Sequence, residues 1–130
     1  MTVLVLAGGV WISGRAGARA DAAVTSTPGA VLAVQTADCA PVLFTAVGPG
    51  PSAGPVIGAA HAGWKGLYEG VLEATVGALI DLGARDISAR LGPCISPAAY
   101  EFSERDLTTM ALRFGPEVVG ATADGDAALD

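Results

Sequence analysis

At 130 residues the chain makes one domain or part of one, and 52% hydrophobic against 15% charged residues lets it bury a real core, which excludes intrinsic disorder. The formal charge is −6, from 13 acidic and 7 basic residues, and the bases (Arg15, Arg19, Lys65, Arg85, Arg90, Arg105, Arg113) never form a run. Nucleic-acid binders neutralise phosphates with a concentrated basic surface, so this balance excludes one and points to a small substrate. An aromatic share of 5%, with 18 glycines and 8 prolines, implies a core of Ala, Val, Leu and Ile joined by many tight turns.

Residues 3–7 are β-rich and end at Gly8-Gly9, after which Val10-Trp11-Ile12 resumes, so two short strands or one interrupted strand are expected. Ala18-Arg19-Ala20 has the small-x-small form of a signal cleavage site. The preceding run, however, has no basic residue before it and is interrupted by glycines, so it reads as structure and not as a signal peptide. It also falls far short of the ~20 residues a membrane span needs.

Thr27-Pro28-Gly29 predicts a type II turn, glycine supplying the positive φ. Residues 30–36 and 41–47 are continuous apolar runs, the pattern of strands covered on both faces, with Asp38-Cys39 between them. Residues 48–55 form a Gly-Pro-rich surface loop, and residues 56–60 read as another buried strand leading into His61.

From residue 66 to 82 the period becomes helical, with Leu67, Val71, Leu72, Thr75, Ala78, Leu79 and Leu82 on one side and Gly83 as the C-cap. The segment His61-Ala62-Gly63-Trp64-Lys65-Gly66 is then a strand-to-helix turn whose N–H groups can receive an anion. Residues 86–91 read as a strand and Gly92-Pro93-Cys94-Ile95-Ser96-Pro97 as a rigid loop. Ser103 reads as the N-cap of a helix that presents Leu107, Met110, Ala111 and Phe114 on one face and ends at Gly115-Pro116. Residues 118–122 make a last short strand, followed by a polar tail. Buried strands alternating with amphipathic helices give an α/β sandwich of mixed β-sheet with flanking helices, a single domain over residues 1–130.

Two cysteines outside any CxxC pattern make no disulfide framework and fit a reducing cytoplasm. The chain's only histidine, His61, and Cys39 both fall at strand ends, where sheets present their working groups. Asp38 adds a charge between two apolar runs, which needs a reason to be there. Three outcomes suit such a pair: a thiolate activated by histidine, a transition-metal site, or packing alone. A single histidine excludes copper oxidation of the multicopper kind within one chain.

Four blocks in order carry a resemblance: Ala20-Asp21-Ala22-Ala23-Val24-Thr25 with Pro28-Gly29, Thr36-Ala37-Asp38-Cys39-Ala40-Pro41-Val42-Leu43, His61-Ala62-Gly63-Trp64-Lys65-Gly66-Leu67, and Leu91-Gly92-Pro93-Cys94-Ile95-Ser96-Pro97 with Tyr100-Glu101. Together they resemble the laccase-domain family, first called multicopper polyphenol oxidases and now regarded as purine nucleoside phosphorylases with adenosine deaminase activity. The resemblance implies purine nucleosides and phosphate as substrates and a zinc-type site, with copper as the alternative metal, built from one Cys and two His.

Cys39 and His61 match two of those ligands. The family's third, a histidine, would fall a few residues before position 1, and the family runs on for about a hundred residues after position 130. The chain therefore resembles the middle of the domain. The same resemblance gives catalytic roles to Cys39, His61 and Asp38, and substrate or phosphate contacts to Gly63, Trp64, Lys65, Gly66, Gly92 and Cys94. Lys65 stands where the family usually has arginine, which keeps the charge but loses the bidentate fork. Two rival expectations are a non-catalytic, partner-dependent member and a metal-free Cys-His hydrolase.

Overall fold

The computed structural model describes residues 3–6 and 20–130. The expected strand at Val10-Trp11-Ile12 and most of the small-residue stretch after it lie outside the described residues. The chain divides into two compact units, Met1–Pro93 and Cys94–Asp130.

The first unit runs β1 (Val3–Leu6), β2 (Ala22–Thr25), β3 (Ala40–Val47), β4 (Val56–Ala62), α1 (Trp64–Glu69), α2 (Val71–Asp81) and β5 (Arg85–Leu91). The strands form one sheet in the order β1-β2-β4-β3-β5, with β1 and β2 parallel and every other pair antiparallel. Helix α2 lies across β4, β2 and β1. This is the mixed α/β sandwich that the alternation of strand and helix signals predicts.

Side-chain parity decides what the sheet buries. Because alternate residues of a strand point to opposite faces, Ala22, Val24, Val42, Phe44, Ala46, Val56 and Ala60 share one face, and they form the core together with Val71 and Leu79 of α2. Gly58 lies on that face because a Cβ there would come within 3.3 Å of Val24 and 3.4 Å of Phe44. The strand expected at residues 41–47 is present, but it is covered on one side only: burial alternates along β3, and Leu43 and Val47 are about half exposed.

The run 30–36 is not a strand. The Thr27-Pro28-Gly29 turn forms as expected, with Gly29 at φ 77° and the Ala30 N–H donating to the Thr27 carbonyl at 3.2 Å. The segment beyond it joins no ladder among the described residues, and Val31 is 77% exposed. Its composition matches that of β3, but without a partner strand β-propensity alone does not make a sheet.

The helix expected over 66–82 starts earlier and breaks once. Gly70 adopts a left-handed conformation (φ 87°), so its N–H closes α1 on the carbonyls of Gly66 and Leu67, and its own carbonyl accepts from Ala74 to begin α2. The predicted C-cap holds: Gly83 (φ 80°) donates to Ile80 at 2.8 Å while Ala84 donates to Leu79 at 3.0 Å, the paired bonds of a Schellman motif. The register of β5 against β3 shifts between Thr45 and Val47, and Asp86, at φ 50°, takes up that bulge.

In the second unit, α3 (Glu104–Phe114) is capped as read, the Ser103 hydroxyl accepting from the Asp106 N–H at 3.4 Å. It buries Leu107 and Met110, whereas Phe114 is left partly exposed at the helix end. Strand β6 (Val119–Ala121) falls within the expected range and pairs with β7 (Ala127–Leu129), which lies in what reads as a polar tail. The turn between them supplies the missing signal: Asp124-Gly125, with Gly125 at φ 92°, is a hairpin dipeptide.

Candidate functional site

The site is placed by the β3–β4 ladder. Ala40 pairs with Ala62 and Pro41 with His61, so Cys39 immediately precedes the ladder on one strand and Gly63 immediately follows it on the other. Paired residues share a face, as do residues two apart on one strand, so Cys39 and His61 are diagonal neighbours on the same face. That face is the one opposite to the core, since Ala60 and Ala62, on either side of His61, are buried. The β2–β4 ladder also extends one step beyond Ala22, where the His61 N–H donates to the Asp21 carbonyl at 2.8 Å. The histidine backbone is thereby held by strands on both sides.

Gly63 is where the two side chains meet. A Cβ at this position would lie 3.1 Å from Cys39 Sγ and 3.8 Å from His61 Nε2, so both heteroatoms border the space a larger residue would fill. Glycine is favoured here by that crowding, since Cys39 would have to give by a few tenths of an ångström, and not by its backbone, whose φ of −79° any residue adopts. Cys39 and His61 are both half-buried, and Asp38 beside them is exposed. Cys39 and Cys94 are both free thiols.

The other expected site residues sort by position. Trp64 and Lys65 open α1 directly after Gly63, with Lys65 Nζ 5.3 Å from the centre of the Trp64 ring, a cation–π contact. Gly66 lies in α1 above the His61 carbonyl, which its Cβ would approach to 3.6 Å, an ordinary distance. Gly92 packs against Pro41, the cross-strand partner of His61: a Cβ there would lie 2.8 Å from Pro41 Cγ, and its N–H donates to the Pro41 carbonyl at 2.8 Å. Cys94 is exposed and belongs to the second unit.

The structure thus joins Cys39, His61 and Gly63 and sets Trp64 and Lys65 next to them in the chain. It also adds Asp21, which the sequence blocks include without a role. Only the register of β2 against β4, which no spacing reveals, puts Asp21 opposite His61.

The chain belongs to the multi-copper polyphenol oxidoreductase laccase family, whose model matches residues 3–129. It is 53% identical over 83 residues to the purine nucleoside phosphorylase YfiH of Escherichia coli, a match covering 64% of this chain and 32% of that protein. A purine nucleoside phosphorylase of Deinococcus radiodurans is 50% identical over 86 residues, covering 65% of this chain and 32% of its own length. The crystal structure of a Neisseria meningitidis protein superposes with a TM-score of 0.70 at 32% identity, covering all of this chain and 55% of that one. The matched segment amounts to about a third of the curated relatives.

Among the described residues, no helix is long and apolar enough to cross a membrane.

Proposed function

We propose that this chain carries the Cys39–His61 centre of a purine nucleoside phosphorylase, which cleaves a nucleoside with phosphate to give the free base and ribose 1-phosphate, and that adenosine deamination is a second activity of the same site. The observation that carries this reading is the convergence of Cys39 Sγ and His61 Nε2 on Gly63, in a chain about two thirds of which is half identical to proteins named for that reaction.

In phosphorolysis a phosphate oxygen bonds to C1′ of the ribose, the C1′–N9 bond breaks, and the departing purine takes up a proton. The chain offers groups for each need. Lys65 and the N–H groups of the Gly63-Trp64-Lys65-Gly66 turn supply positive charge and donors for phosphate. The Trp64 ring is a stacking face for a purine, and Lys65, which stacks on it, leaves it as the ammonium turns to phosphate. His61 is the group beside the site that can hand a proton to the leaving base. Asp38 orients its neighbours, and Gly92 holds Pro41 against the ladder on which His61 sits.

The family resemblance also implies zinc, with copper as the alternative. Cys39 and His61 are suitable donors and would hold two of the three protein positions that a catalytic zinc takes, where the ion would polarise a bound water or substrate oxygen.

Incubation of the purified chain with inosine and phosphate tests the proposal. Hypoxanthine and ribose 1-phosphate should appear, and Cys39→Ala should abolish them; release no faster than in that variant would defeat the reading. Ammonia release from adenosine, lost in the same variant, checks the second activity.

A further inference from the structure

His61 has two ring nitrogens, and the meeting over Gly63 involves one of them, Nε2. The other, Nδ1, lies nearer the backbone, and its surroundings are set by whatever stands beside the ring in the sheet. In a neutral imidazole the hydrogen bond made by one nitrogen decides which of the two carries the proton. The neighbour of Nδ1 therefore controls what Nε2 can do.

The strand registers identify that neighbour. Residues directly opposite in an antiparallel ladder share a face, with Cβ atoms about 5 Å apart. Carried one step past the Ala22–Ala60 pair, the β2–β4 ladder sets Asp21 opposite His61, and the His61 N–H donates to the Asp21 carbonyl at 2.8 Å. On its other side His61 pairs with Pro41, whose carbonyl accepts from Gly92. Asp21, His61, Pro41 and Gly92 thus form one row across the sheet, and the diagonal positions hold Ala23, Leu43 and Cys39. Among these residues Asp21 alone carries a carboxylate.

We propose that Asp21 is a positioning residue for His61: its carboxylate accepts the hydrogen bond of Nδ1–H, which leaves Nε2 unprotonated and turned toward Gly63 and Cys39. The side chains match in reach, because an aspartate's oxygens and a histidine's Nδ1 lie equally far along their side chains. A glutamate would carry its carboxylate past the ring nitrogen. Both residues are half-buried, so the bond is partly shielded from water. Asp38, the acid next to Cys39 in sequence, is exposed and lies outside the ladder.

This deepens the reading of the site given above. A proton destined for the leaving base is taken up and given back at Nε2, while Nδ1 keeps its own, and the carboxylate stabilises the imidazolium formed in between. The arrangement is a property of the resting chain, so it can be tested without substrate or metal.

Long-range proton–nitrogen spectra of the 15N-labelled chain, in EDTA at alkaline pH, tell the two neutral tautomers apart. The parent should carry its proton on Nδ1. Asp21→Ala should move it to Nε2, the tautomer that a free imidazole side chain favours in water, whereas Asp21→Asn, which keeps an oxygen acceptor, should retain Nδ1–H at least in part. Asp38→Ala should change nothing. Hydrogen exchange of the His61 amide separates positioning from simple strand support, since its bond to the Asp21 carbonyl does not need the Asp21 side chain and should survive in Asp21→Ala. A parent protonated on Nε2, which needs no variant to see, would overturn the proposal. So would one tautomer shared by parent and Asp21→Ala, or a change that comes only with loss of amide protection.

Discussion

On one face of the first unit's sheet, Val24, Val42, Phe44, Val56 and Ala60 are packed beneath the helices; on the other, one residue out of step, Ala59 and Thr25 are buried but Cys39, Leu43, Val47 and His61 remain partly open. The backbone and its ladders are common to both. Parity separates them along β3, where buried and exposed residues alternate, whereas on β4 the second face carries the buried Ala59 beside the half-buried His61. A change on one face should therefore register as stability and a change on the other as binding or reactivity.

The largest expected effect is on the closed face. Leu79 is fully buried in α2, and Leu79→Ala should cost about 2–5 kcal/mol in urea denaturation through lost transfer energy and the cavity left behind. Zinc binding by the molecules that remain folded should be unchanged. A loss of zinc affinity in step with stability would show that the two faces are coupled.

Gly92→Ala probes the boundary between them. Its new Cβ would press on the Pro41 ring, and overpacking of this kind costs about 1–3 kcal/mol. Because Pro41 lies opposite His61, this variant should disturb both melting temperature and zinc binding, which the Leu79 change should not. The smallest effect is expected on the open face: Leu43→Ser, measured in EDTA, should stay within about 0.5 kcal/mol of the parent, as exposed substitutions do.

Much of this architecture is legible in the residues themselves. Strands β3 and β4 follow from apolar runs bounded by Gly and Pro, β5 from its place between Gly83 and Gly92-Pro93, and α3 from its Ser103 cap and the 3–4 spacing of its apolar residues. Gly83 announces its own C-cap. The run 30–36 misleads because its composition is that of β3, and whether it pairs depends on a neighbour that composition does not report. Gly70 is masked by the helical period around it, since the same residue is tolerated inside a helix or ends one according to its φ.

The candidate site was half legible. Cys39 and His61 stand out as chemistry at the ends of apolar runs, but their meeting over Gly63 depends on the β3–β4 register across the 48–55 loop, and no local signal sets that register. The pairing of Asp21 with His61 is hidden for the same reason. By contrast, that His61 is the chain's one histidine is readable from the sequence alone.

That single histidine also makes the central claim directly measurable, since the chain gives one set of imidazole nitrogen resonances. Long-range proton–nitrogen spectra of the 15N-labelled chain should show the His61 signals moving with zinc in the parent and staying in place in Cys39→Ser, as expected if thiol and imidazole act on one ion. An identical zinc response in parent and variant would contradict the claim that Cys39 and His61 form a single site.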